Sequence, residues 1–75
     1  MLHNPNQQLE ALVATAVAAL HRLPDGERAP MLVEMETVVF RRAAESYGLR
    51  HGMNFAHQFV NAVGRRVEDE APTGP

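Results

Sequence analysis

"MLVEMETVVF", residues 31–40, carries seven apolar side chains and two carboxylates. Val38, Val39 and Phe40 are strand-prone residues, but the apolar positions of the segment do not alternate, so its period is that of a helix. Wound as a helix through Tyr47, it sets Leu32, Met35, Val39, Phe40, Ala43 and Tyr47 on one apolar arc, which Val33 and Ala44 widen. Glu34, Arg41, Arg42 and Glu45 gather opposite. Two positions break the pattern. Glu36 falls inside the apolar arc, and Val38, with Met31 nearby, falls among the charges.

A helix that is apolar over more than half its circumference is expected to be central to something. In a three-helix chain this second helix can touch both neighbours, and surface is still left over. Met31, Met35 and Val38 form the expected self-association patch, because a two-fold interface needs only one self-complementary surface. A buried carboxylate must be paired, hydrogen-bonded or protonated. Glu36 is therefore expected either to reach the wet rim or to make a buried polar contact that fixes the register of an assembly. His21, His57 and an arginine are its candidate partners.

Working outward, "NPNQ" at 4–7 is a helix start: Asn4 caps, Pro5 takes the first helical position, and Gln7 stands at capping-box spacing. Leu9, Leu12, Val13, Ala16, Val17, Leu20 and Leu23 then recur on one stripe, which predicts a helix over about 5–23. Ala11, Ala14 and Ala18 lie on its back. "LPDGERAP" reads as a turn into the second helix, which begins at Asp25, where Pro30 then costs stability, or at Pro30 itself. The second start gives a helix over about 30–47, with Gly48 as its C-terminal cap. "GLRHG" reads as a connector, followed by a third helix over about 53–66 whose inner stripe is Met53, Ala56, Phe59, Val60, Val63 and Val67. Residues 68–75, "EDEAPTGP", are acidic and then Pro/Gly-rich, the composition of a disordered tail. The fold class is all-α: a small three-helix domain over 1–67, assembled as a homodimeric helical bundle, since a lone chain of this size has little stability margin.

Composition narrows the function classes. The chain has 75 residues, enough for one domain. Without cysteine it has neither disulfides nor thiolate chemistry. The apolar run 12–20 is shorter than the roughly 20 residues a bilayer span takes, and it lacks the cationic start of a signal peptide. The expected setting is therefore cytoplasmic, away from membranes. Net charge is −2, so no global basic field points to nucleic acid. Ser46, three threonines, Tyr47 and four histidines supply no Ser-His-Asp order, HExxH or phosphate loop, so no enzyme activity and no cofactor is expected. His51, Met53 and His57 cluster, but His51 and His57 are six apart and do not share a helix face, so no metal site is expected.

The outer face of the third helix is the strongest binding lead. Asn54, His57, Gln58, Asn61 and Arg65 follow i, i+3, i+4, i+7, i+11 and make one continuous strip. Amides and arginine read base edges, and residues 43–63 have a rough helix–glycine turn–helix cadence. Arg41, Arg42, Arg50, Arg65 and Arg66 against Glu45 make this region locally basic. Against that reading, polar Asn54 falls where such a motif buries an apolar residue, and the acidic "EDE" follows directly. The same strip suits a protein partner. The expected function is a non-catalytic protein–protein interaction, of the kind small bacterial or phage regulators and inhibitors perform, with DNA binding through helix three as the alternative.

Overall fold

The computed structural model describes residues 5–69, which form α1 (Pro5–His21), α2 (Asp25–Tyr47) and α3 (Leu49–Asp69). No strand occurs among the described residues. Asn4 and residues 70–75 of the expected tail lie outside them. Glu68 and Asp69, read as tail, instead complete α3, carried on by Val67, which still packs against the core.

α1 and α2 are separated by a tight turn. The chain leaves α1 after His21 rather than Leu23, through two tightened bonds, Arg22 N to Ala19 O (3.2 Å) and Leu23 N to Leu20 O (3.0 Å). α2 starts at Asp25, five residues before the Pro30 start, with Pro24 as a cap residue that offers no side-chain bond. Asp25 and Glu27 sit in its first turn, where the helix dipole favours them. Arg28 fastens the corner: its Nε donates to the Leu20 carbonyl at 3.0 Å, and its guanidinium pairs with Asp25 at 2.8 Å. The Leu20 carbonyl thus accepts from both Leu23 N and Arg28 Nε. Pro30 is accepted inside α2 although it has no N–H to return to Gly26.

A single residue parts α2 from α3. Gly48 has φ 93° and ψ 163°, a region open essentially only to glycine, and its N–H bonds to the Ala44 carbonyl at 2.9 Å. The expected connector 48–52 is thus reduced to one residue, and α3 begins at Leu49 rather than Met53. Gly52, read as part of that connector, is buried inside α3. A Cβ there would lie 2.7 Å from the Cα and N of Ala44, so only glycine permits this approach of the two helices.

Buried hydrophobic residues are Val13, Ala16, Val17 and Leu20 from α1, Ala56, Phe59 and Val63 from α3, and Ala43 alone from α2. The central helix is therefore α3, which packs against both others, while α1 and α2 barely meet. This corrects the expectation that helix two is central. Its apolar arc is wide, but small Gly52 and Ala56 draw α2 onto one flank of α3, and Phe59 fills the space that α1 and α2 would otherwise share. α2 keeps its excess apolar perimeter, with Val33 and Val38 more than half exposed.

Candidate functional site

The gap between α1 and α2 is an open apolar groove of about 400 Å³. Its floor is Phe59. Met31, Met35, Val38 and Val39 of α2 form one wall, and Leu12, Thr15, Ala16 and Ala19 of α1 form the other. Glu34 is the only charged residue along it. Met31, Met35 and Val38, the expected self-association residues, are thus brought together on one wall. The spacing of α2 picks them out. The α1 wall and the Phe59 floor are not legible in it, because the groove arises from how two helices stand apart on a third. The pair of small residues Gly52 and Ala56, four apart on α3, is the signal that α2 would be drawn away from α1.

A second depression of about 410 Å³ continues the groove towards the other end of α2. It shares Leu12, Val38 and Val39 with the first and extends to Ala43, Tyr47 and Phe55. Gln8 and Tyr47 bridge α1 and α2 there, the Tyr47 hydroxyl donating to Gln8 Oε1 at 3.1 Å. The rings of Tyr47 and Phe55 lie 6.3 Å apart at a 36° tilt.

Glu36 is half-buried rather than buried, and the described residues include no buried charged or polar side chain. It lines a shallow depression on the far side of the α2–α3 pair with Phe40, Met53 and His57. No ion pair or hydrogen bond ties it to another described residue. α2 is held away from α1, so this part of the arc faces the edge of α3 and not a closed interior. His21 lies elsewhere, with its Nε2 buried and without a partner.

Asn54, His57, Gln58, Asn61 and Arg65 are all exposed along α3. Asn54 and Gln58 border a recess of about 490 Å³ that also takes in His51, Tyr47 and Phe55. None of the five lines the α1/α2 groove. α2 and α3 run side by side in antiparallel register: Ala44 meets Gly52, and Glu36 and Phe40 share a depression with His57 and Met53. A helix-turn-helix reader instead crosses its partner at about 90–120° after a turn of three or four residues. The one-residue Gly48 break does not give that presentation.

Among the described residues no three His, Asp or Glu side chains stand close enough to hold a metal ion, and no helix is long and apolar enough to cross a membrane. No protein-family model, curated protein or solved structure matches the chain.

Proposed function

We propose that this chain is a small non-catalytic interaction protein, regulatory or inhibitory in kind. It works in the cytoplasm as a homodimer and binds a partner protein. The observation that carries the reading is the uncovered apolar groove between α1 and α2, with Val38 at 55% and Leu12 at 42% exposure. Contiguous apolar surface of this kind marks a place where another polypeptide docks. The α3 strip supplies a second, hydrogen-bonding face on which a partner can be read without competing for the groove.

Native mass spectrometry of the chain, purified from the cells that produce it, tests the reading. The expected species is a dimer carrying a second protein, and an Asn54→Ala/Asn61→Ala double variant loses that protein while the dimer persists. Titration with mixed-sequence duplex DNA at two salt concentrations is the opposing arm. Binding that weakens steeply with salt and depends on Arg65 would overturn the protein-partner reading in favour of DNA.

A further inference from the structure

No Asp or Glu occurs between Ser46 and Val67, a stretch that holds Arg50, Arg65 and Arg66. The whole chain carries −2, so with +3 in this stretch the remaining residues carry −5. All but the last two residues of α3 thus form the cationic part of an acidic protein, and such a surface favours an anionic partner.

Arg50 stands four residues before Asn54, so it extends the strip of Asn54, His57, Gln58, Asn61 and Arg65 by one turn, and it is exposed as they are. An arginine therefore ends the strip on each side, the two about 22 Å apart along the helix. Neither Arg50 nor Arg65 has an ion pair with another described residue. Between them stand three amides, which both donate and accept hydrogen bonds. Beside Asn54 and Gln58 opens the recess that holds the Tyr47 and Phe55 rings and His51.

We propose, resting on the partner-protein reading above, that this strip receives an extended acidic segment of the partner. Two carboxylates of the segment pair with Arg50 and Arg65, which at about 3.3 Å per extended residue places them about seven residues apart. The three amides bond the main chain between them. A helical segment would offer no such groups, because its backbone bonds are internal. The recess lies about 9 Å along α3 from Arg50, so it takes the side chain about three residues past the first carboxylate, and its rings suit an aromatic one. Glu68 and Asp69 follow Arg65 and end the surface that an acidic segment can use. Duplex DNA fits the strip less well: it carries a charge about every 1.7 Å and would meet two cations in about 22 Å.

The probe is an end-capped octapeptide with glutamate first and last, tryptophan fourth and alanine elsewhere, titrated into the isotope-labelled full chain and followed by NMR. The expected shifts saturate and are confined to the recess and the strip, including the side-chain amides of Asn54, Gln58 and Asn61. Arg50→Gln and Arg65→Gln, both at exposed positions, are expected to weaken binding about two- to five-fold each, with the remaining spectrum unchanged. The same peptide with glutamine at both ends is expected to bind about five- to 25-fold more weakly. Equal binding of the glutamine peptide, or shifts that avoid the strip, would overturn the acidic-segment assignment. So would mixed-sequence duplex DNA that shifts the same residues at lower concentration than the peptide. Native mass spectrometry keeps the two readings apart. A bound protein there, with no response of the strip to the peptide, removes the acidic class and leaves the partner; no bound protein removes the partner-protein reading itself.

Discussion

Gly52→Ala is expected to destabilise the protein, against the usual gain of replacing a helical glycine. The new Cβ would lie 2.7 Å from the Ala44 Cα and N and 3.0 Å from the Ala44 Cβ. Ordinary carbon contacts need about 3.5–4.0 Å, so α2 and α3 must part by about an ångström along their closest approach. Two of the three atoms met are backbone and cannot swing aside, and overpacking of this kind costs about 1–3 kcal/mol. Alanine returns about 1 kcal/mol of helix propensity. The net loss is about 0–2 kcal/mol, or a Tm lower by up to roughly 16 °C for a domain of this size. Gly64→Ala is the control. No atom lies within 4 Å of its added Cβ, so the propensity gain of about 1 kcal/mol stands alone and Tm rises by roughly 4–8 °C. Thermal unfolding followed by far-ultraviolet circular dichroism, at one fixed protein concentration, reads both. Ala44→Gly is not expected to rescue Gly52→Ala, because the Ala44 N and Cα remain. A Gly52→Ala protein whose Tm rises as that of Gly64→Ala does would refute the close-approach argument.

Arg28→Ala removes the charged donor from the Leu20 carbonyl and is expected to cost about 1 kcal/mol in denaturant unfolding. Asp25→Ala removes only the exposed half of the ion pair and costs much less. Pro30→Ala restores an N–H to the ladder of α2 and is expected to raise stability by up to about 2 kcal/mol, part of the gain being offset by a looser unfolded chain. Glu36→Gln and Glu36→Ala are both expected within about 0.5 kcal/mol of wild type, as befits a half-buried carboxylate without a partner. A loss above about 2 kcal/mol for the alanine alone would instead place Glu36 in a buried contact of the assembly.

Much of the chain was legible because helical period is a local property. The α1 stripe of Val13, Ala16, Val17 and Leu20 is buried where its spacing put it, and Gly48 ends α2 as a glycine cap should. What escaped was set by contacts that helical period does not encode. Two glycines four apart read as a connector, and only the contact with Ala44 explains why Gly52 is helical. Asp25 and Pro30 both read as starts of α2, and the contacts of Arg28 with Asp25 and the Leu20 carbonyl go with the earlier one. The breadth of an apolar arc shows how much surface a helix offers, not how much its neighbours cover, so α2 was mistaken for the centre. Met31, Met35 and Val38 stood out as surplus on α2. Their counterparts Leu12 and Phe59 did not, since each belongs to an ordinary stripe.

The wide separation of α1 from α2 also bears on how the chain is made. Contacts within the α2–α3 hairpin join near neighbours, Ala44 and Gly52 being eight apart, and such short loops close at little entropic cost. The apolar stripe of α1 shares its core with Phe59 and Val63, about forty residues further on. At translation rates of about 5–20 residues per second, the first helix to be synthesised waits roughly 2–8 s before its packing surface exists. During that interval Val13, Val17 and Leu20 lack the Phe59 and Val63 side chains that complete their cover, so a stripe buried in the finished protein stands open to misassembly while it is being built.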